Sequence, residues 1–332
     1  MNEGPIEPPI EHGGDPAALE AVYGRPADGW LDLSTGINPE GYPLGDLPEA
    51  DFRGLPPAGL MADLLAAARR FYGVPDGAAV VAAPGSQALI QWLPRLLPSG
   101  RVYIEKYTYN EHSPAWRAAG HEVLHSCVQC GFRVVVNPNN PDGRIVAPAD
   151  LLARVRSDGL LVVDEAFADA APGHSVASRT GRPGLVVLRS LGKFFGLAGV
   201  RLGFALTDPA LGARLATALG PWSVSTPAAR LGLRALGDRA WIDATRRRLA
   251  ERAAALDVLL LKAGFTVIGG TVLFRLVDSP RAPAVFERLA RAGIAVRRFA
   301  GQPRRLRFGL PGQPADWARL EAALADAAAE SC

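Results

Sequence analysis

The chain carries lysine at only three positions, Lys106, Lys193 and Lys262, although Lys and Arg together number 36. Arginine serves almost everywhere that a positive charge will do, so each surviving amine raises the question of what it adds. A primary amine can attack an aldehyde and form a Schiff base, which a guanidinium cannot do. Lys193 has the most telling surroundings: Ser190-Leu191-Gly192-Lys193 is followed by Gly199-Val200-Arg201-Leu202-Gly203. The lysine stands just past an apolar run that reads as a buried strand, and open α/β sheets bind their ligands at such strand ends. Ser190 and Arg201 add a hydroxyl and a guanidinium, a pair suited to a phosphate group. A surface loop with a solvated lysine would carry the same residues, so this motif needs others beside it.

Three further segments offer complementary chemistry. Leu161-Val162-Val163-Asp164-Glu165-Ala166-Phe167 delivers a carboxylate at the end of an apolar strand. A pyridoxal ring needs an acid beside its ring nitrogen to act as an electron sink, although Asp164 or Glu165 could equally cap the next element. Val136-Asn137-Pro138-Asn139-Asn140-Pro141-Asp142-Gly143 forces a rigid turn directly after a strand, and Asn140 could donate there to a phenolate oxygen. Ala83-Pro84-Gly85-Ser86-Gln87 lies between a strand and a helix, where backbone N–H groups and a serine hydroxyl make an anion cradle or merely a helix cap. Cys127-Val128-Gln129-Cys130 could be redox-active or half of a zinc site, but no second pair exists, so a plain strand-edge segment without a metal is expected.

The elements that must position these groups follow from the apolar pattern. Short β-branched runs at Val80-Ala82, Arg101-Ile104, Arg133-Val136, Leu160-Asp164, Leu185-Arg189 and Leu202-Leu206 alternate with helical stretches at Gly59-Phe71, Ser86-Leu97, Asn110-Ala119 and Ala149-Arg156. Continuous apolar strands separated by helices indicate a mostly parallel sheet covered on both faces. After Asp208 helices dominate, at Pro209-Leu219, Pro227-Leu236 and Arg239-Ala263, followed by short strands at Val272-Leu276, Ile294-Arg297 and Leu306-Gly309 and a last helix at Ala315-Ala329. The reading is a large α/β domain over 41–220 and a smaller α+β domain made from both chain ends, 1–40 and 221–332.

Taken in order, the phosphate cradle, turn asparagine, strand-end aspartate, Ser-x-x-Lys and Arg-x-Gly resemble the class I/II aminotransferase superfamily, fold type I. His12-Gly13-Gly14, Trp30-Leu31-Asp32-Leu33-Ser34-Thr35-Gly36-Ile37-Asn38-Pro39 and Leu306-Arg307-Phe308-Gly309-Leu310-Pro311 narrow the likeness to the threonine-phosphate decarboxylases of cobalamin biosynthesis. The resemblance implies pyridoxal 5′-phosphate as cofactor, a seven-stranded mixed, mostly parallel sheet, and a homodimer with its site at the interface. It implies that Lys193 holds the cofactor covalently, that Asp164 pairs with the ring nitrogen and Asn140 with the ring oxygen, and that Tyr109 stacks on the ring. Gly85, Ser86, Gln87, Ser190 and Arg201 would hold the cofactor phosphate. Arg307, Arg297 and His12 would bind the anionic groups of the substrate, with Asn38 facing it. Phe167 stands where related histidinol-phosphate aminotransferases carry tyrosine, so Asn140 would make the ring-oxygen contact alone. Leu55-Pro56 stands where many relatives place a Tyr-Pro that reaches the neighbouring subunit.

Composition narrows the rest. A net charge of +3 with scattered arginines is no nucleic-acid footprint. No apolar run is long enough to span a bilayer, and the acidic, proline-rich start resembles no targeting segment. Sparse, odd cysteines argue for a reducing cytoplasm rather than a disulfide framework. The expected partner is a small phosphorylated amino acid, L-threonine O-3-phosphate, decarboxylated to (R)-1-amino-2-propanol O-2-phosphate. An aminotransferase of the histidinol-phosphate type and a non-catalytic partner of a neighbouring enzyme are the alternatives.

Overall fold

The computed structural model describes residues 12–126, 129–156 and 158–329. Twelve strands, β1 to β12, form two sheets among the described residues. The larger comprises β2 (Ala79–Ala83), β3 (Arg101–Ile104), β4 (Glu122–Leu124), β5 (Phe132–Val136), β6 (Leu160–Asp164), β7 (Leu185–Ser190) and β8 (Gly203–Thr207), in the order β2-β8-β7-β6-β5-β3-β4. All neighbours run parallel except β8, which is antiparallel to both β2 and β7. β6 and β7 are buried at every residue, as expected of central strands with helices on both faces.

Register sets the chemistry. Val136 pairs with Asp164, and Asp164 with Leu188, so β5, β6 and β7 end together at one edge. Asp164 is the last residue of β6, and the segments that follow β5 and β7 carry Asn140 and Lys193. β2 runs parallel to β7 through β8, so the Gly85-Ser86 start of the helix Ser86–Arg95 opens at the same edge.

The smaller sheet has the order β1-β11-β12-β10-β9, built from β1 (Leu31–Leu33), β9 (Thr266–Thr271), β10 (Phe274–Asp278), β11 (Ile294–Arg298) and β12 (Arg305–Gly309). β1 from the start of the chain lies parallel to β11, so both chain ends build this lobe. The division at residue 220 needs one correction. The helix Thr226–Gly237 lies against Ala58–Tyr72 of the larger lobe, tightly enough that a Cβ on Gly232 would meet Leu202 at 2.3 Å and Leu64 at 3.0 Å. Its apolar face is thus spent on the larger lobe, and the long helix Arg239–Lys262 begins the return to the smaller sheet.

Three strands escape the sequence pattern. β1 and β4 have three residues each, too few for alternation to show. β9 contains Gly269-Gly270, which lack the side chains that mark a strand. Cys130 is buried and disulfide-bonded, where sparse cysteine usage argues for reduced thiols. Cys127 lies outside the described residues.

Candidate active site

The loop between β7 and β8 carries Lys193 and is fixed from both sides. Phe194 and Phe195 are fully buried, and the Phe195 ring stacks on Trp241 with centroids 5.7 Å apart. Burying each phenylalanine stabilises this anchorage by about 1.5–3 kcal/mol. Asn38 N–H donates to the Lys193 carbonyl at 3.0 Å, and the Asn38 side-chain amide donates to the Phe194 carbonyl at 2.9 Å. Asn38 also accepts from Glu40 N–H at 3.0 Å and is buried. Asn38, expected to face the substrate, is engaged in holding the lysine loop and lines neither of the two cavities at Lys193.

Two cavities meet at Lys193. One, of about 450 Å³, is lined by His12, Tyr109, Asn140, Lys193, Arg297 and Arg307 among others. The second, of about 390 Å³, is lined by His12, Ser86, Gln87, Tyr109, Ser190, Lys193 and Arg201 among others. Gly85 lies beneath the second: a Cβ there would sit 2.7 Å from Arg201 Nη2, so the guanidinium covers the helix start only because the residue is glycine. Backbone N–H groups, two hydroxyls and a guanidinium converge there, a donor set for a phosphate.

Lys193 is desolvated. Burial, then the Arg307 charge, with a smaller push from Arg201, bring its amine down to about 8 against the pull of Asp164. Its Nζ lies 5.6 Å from the Phe167 ring centroid. An amine lowered in this way gives up its proton, and so becomes a nucleophile, more readily than an ordinary lysine.

Asp164 lies behind the cavity wall rather than in it. Its Oδ1 accepts from Ala166 N–H at 3.1 Å and its Oδ2 lies 2.9 Å from His112 Nε2. Lone pairs remain for a further donor. The neighbouring Glu165 is occupied elsewhere, taking Arg189 Nη1 at 2.5 Å, Ser175 Oγ at 2.5 Å and Val176 N–H at 2.8 Å. Of the two acids, Asp164 is the one whose charge acts on Lys193. The sequence reading gives His112 no role. A polar residue one helical turn after a candidate ring-stacking tyrosine was the available signal.

The three turn asparagines separate cleanly. Asn137 exchanges two hydrogen bonds with the Val146 backbone. Asn139 accepts from Thr108 Oγ1 at 2.7 Å and donates to the Tyr107 carbonyl and to Asp142. Asn140 Oδ1 accepts from Arg307 Nη1 at 2.5 Å, which leaves its amide hydrogens for the cavity. Tyr109 is largely buried, and desolvation first, then Asp164 and Glu111, push its phenol up to about 12. Its hydroxyl donates to Gln87 Oε1 at 3.3 Å, and Gln87 donates to Glu111 at 2.6 Å. Gln87 thus lines the phosphate cradle with its own amide already engaged.

Arg307 and Arg297 are direct cross-strand partners on β12 and β11. Like charges opposite each other are unfavourable, and Arg307 is buried, its guanidinium pulled down to about 10 by burial and then by Arg297. Arg307 Nη2 donates to the Ser34 carbonyl at 2.8 Å, while its Nε is buried without a hydrogen-bond partner. A buried cation in this state has donor capacity left for an anion.

A desolvated lysine, a strand-end aspartate and a phosphate cradle at the edge of a mixed seven-stranded sheet define a pyridoxal-phosphate enzyme of fold type I. The chain belongs to the aminotransferase class I and II family, whose model matches residues 48–324. It is 45% identical to the threonine-phosphate decarboxylase of Pseudomonas aeruginosa over 95% of this chain and 97% of that protein. Its fold is similar to a histidinol-phosphate aminotransferase from Sinorhizobium meliloti in complex with pyridoxal-5′-phosphate, with a TM-score of 0.81 and 18% identity over 96% of each chain. It is also similar to an L-threonine-O-3-phosphate decarboxylase from Porphyromonas gingivalis, with a TM-score of 0.76 and 21% identity over 89% of this chain and 98% of that one. The cofactor of this family is pyridoxal 5′-phosphate, and the residues present fit it: the cradle around Ser86, Ser190 and Arg201 suits its phosphate, and Lys193 its aldehyde.

Proposed function

We propose that the chain decarboxylates L-threonine O-3-phosphate to (R)-1-amino-2-propanol O-2-phosphate. The observation that carries this reading is the Arg297–Arg307 pair, two facing guanidiniums in the cavity that Lys193 opens into. Two such cations suit a substrate with two anionic groups, a carboxylate and a phosphate. The 45% identical decarboxylase, matched over nearly its whole length, supports the same substrate.

When bound, pyridoxal phosphate supplies a sink for the electron pair left at Cα. Lys193 Nζ would hold the cofactor and, once displaced by substrate, stand beside Cα. Asp164 would keep the ring nitrogen protonated, with His112 fixing the carboxylate. Ser86, Ser190, Arg201 and the backbone at Gly85, with Gln87 at its edge, would anchor the cofactor phosphate. Tyr109 would cover one face of the ring, and the Asn140 amide would donate to the ring oxygen.

Which bond breaks is a matter of orientation. The bond at Cα that stands perpendicular to the ring plane is the one that cleaves. Arg307, Arg297 and His12 would hold the substrate's two anions so that the carboxylate is turned out of that plane. Remote binding energy at the phosphate is thereby used to select decarboxylation over proton abstraction. The Cα–carboxylate bond breaks, carbon dioxide leaves, the electron pair stays at Cα, and a proton is then added there. Lys193 Nζ, in the cavity wall, would be able to deliver it.

We also propose a homodimer. Leu44, Phe52, Leu55 and Trp222 are each more than half exposed. Their segments meet around the helix Thr226–Gly237, where Thr226 Oγ1 donates to the Gly54 carbonyl and Arg234 to the Leu44 carbonyl. An apolar face of that kind calls for a second copy to cover it.

The deciding experiment incubates the purified holoenzyme with L-threonine O-3-phosphate and no keto acid. The expected result is carbon dioxide and aminopropanol phosphate in equal amounts. A requirement for 2-oxoglutarate, with pyridoxamine phosphate accumulating in its absence, would establish an aminotransferase instead.

A further inference from the structure

Glu111 is the only acidic residue lining either cavity at Lys193 among the described residues. Beside Lys193, Arg201, Arg297 and Arg307 it is out of place, because a free carboxylate at an anion site repels the ligand. It is not free. One oxygen, Oε1, lies 2.9 Å from His12 Nε2, and the other accepts from Gln87 Nε2 at 2.6 Å. Gln87 Oε1 in turn accepts from the Tyr109 hydroxyl at 3.3 Å. His12 lines both cavities and Gln87 lines the phosphate cradle. A single carboxylate therefore ties a group at the substrate end of the site to a group at the cofactor end.

The backbone around His12 makes this tie consequential. Gly13 is pressed against the Ser34 loop, where a Cβ would sit 2.5 Å from the Ser34 carbonyl oxygen, and Gly14 N–H donates to Ser34 Oγ at 2.8 Å. That same Ser34 carbonyl accepts from Arg307. The segment is thus fixed behind by Ser34. In front, the His12 side chain is 48% exposed and Glu111 is the partner that fixes it. Left to itself, an exposed side chain samples several rotamers, and ordering it at the moment of binding costs affinity.

We propose that Glu111 is a positioning residue for substrate recognition: by fixing His12 and Gln87 together, it turns the His12 ring to the substrate phosphate. It touches no reacting atom and acts through His12. Discrimination between a phosphorylated and an unphosphorylated substrate then depends on Glu111 as much as on His12. This rests on the decarboxylase reading given above.

The test is a double-mutant cycle in the holoenzyme with Glu111→Ala, His12→Ala and the double variant. Three quantities are read: KM and kcat for L-threonine O-3-phosphate, and calorimetric affinity for inorganic phosphate. Each single variant is expected to raise KM about tenfold, the loss of one hydrogen bond to a charged group. The change in kcat should be smaller, and phosphate should bind correspondingly more weakly. The double variant should be no worse than His12→Ala alone, because the two residues act as one unit. Losses that multiply, or wild-type KM and phosphate affinity in Glu111→Ala, overturn the proposal. Should Glu111→Ala fail to fold, the cycle is run with Glu111→Gln, which keeps an acceptor oxygen. Its smaller loss must then vanish in the His12→Ala background. A wild-type chain that binds phosphate but does not turn over threonine phosphate defeats the functional reading, while the phosphate cycle still decides the coupling of Glu111 to His12.

Discussion

His112 Nε2 lies 2.9 Å from Asp164 Oδ2, and both side chains are buried. Asp164 arrives at the end of β6, and His112 opens the short helix His112–Ala118 that follows β3. Their contact sets the direction of the carboxylate before any ligand is bound. His112→Ala should reduce kcat about tenfold to a hundredfold, the usual loss when a group that orients a site residue is removed. Asp164→Ala should cost more, while much cofactor is retained through the phosphate contacts. Steady-state kinetics and the visible spectrum of the bound cofactor check both. Near-normal turnover in Asp164→Ala would reduce the residue to a helix cap.

Lys193 should be the residue that borohydride fixes to the cofactor, and Lys193→Arg should fold but show no turnover, since arginine forms no imine. Peptide mapping of the reduced protein reads the site directly, and label on Lys106 or Lys262 would be incompatible with the assignment.

The same lysine gives a pH dependence. In the folded, cofactor-free chain its amine is brought down to about 8, against 10.5 for an ordinary lysine. Between those values the unfolded chain binds the more protons, so this group's contribution to stability rises with pH through that window. Below it both states are protonated, and the folded chain bears the cost of a buried cation. Attachment of pyridoxal phosphate should accelerate as pH rises through about 8 and then level off, because the neutral amine is the nucleophile. Denaturant midpoints of wild type and Lys193→Met across this range isolate the contribution of the lysine, and parallel curves would refute it.

Arg307 is buried with its Nε unpartnered and is held by Asn140 and the Ser34 carbonyl. Arg307→Ala should raise KM for threonine phosphate about a hundredfold, the scale for a charged group that loses its buried partner. Arg307→Lys should not restore it, since one ammonium cannot serve Asn140, Ser34 and a substrate anion in the fork geometry. Free threonine, lacking one anion, should be a poor substrate for wild type and respond much less to either variant. An equal response to both substrates would place Arg307 on the carboxylate rather than the phosphate.

Gly143 closes the turn that carries Asn140. It has φ +71°, and a Cβ there would lie 2.0 Å from the Gly270 carbonyl oxygen of β9. Gly270 N–H donates across the same seam to the Asp142 carbonyl at 2.9 Å. Gly143→Ala should cost about 2 kcal/mol or more, from the left-handed backbone and the clash together. It should also loosen cofactor binding by moving Asn140. Urea unfolding and cofactor titration measure the two effects, and an unchanged midpoint would mean that the seam yields freely.

Much of this protein was legible in one dimension. The strands β5, β6 and β7 are continuous apolar runs, since burial on both faces leaves no room for alternation. Asp164 closes β6 itself, and the loops after β5 and β7 carry Asn140 and Lys193 at readable distances from those runs. The scarcity of lysine singled out Lys193, and Gly85-Ser86 marked a helix start. What the sequence did not reveal depends on residues that are far apart in the chain and adjacent in space. Asn38 looks like a substrate contact until the fold brings it onto the Lys193 and Phe194 carbonyls, 155 and 156 residues away in the chain. Glu165 and Asp164 are indistinguishable in sequence, and only the buried Arg189 removes the former from the site. His112 and Glu111 look like an ordinary polar helix start, and their roles come from Asp164, Gln87 and His12 arriving from other elements. Strand register placed Arg297 opposite Arg307. Residue type and local spacing determine which groups a chain offers and near which strand end. Which of them a cavity uses is decided by packing, because hydrogen-bond capacity already spent on a neighbour is not available to a ligand.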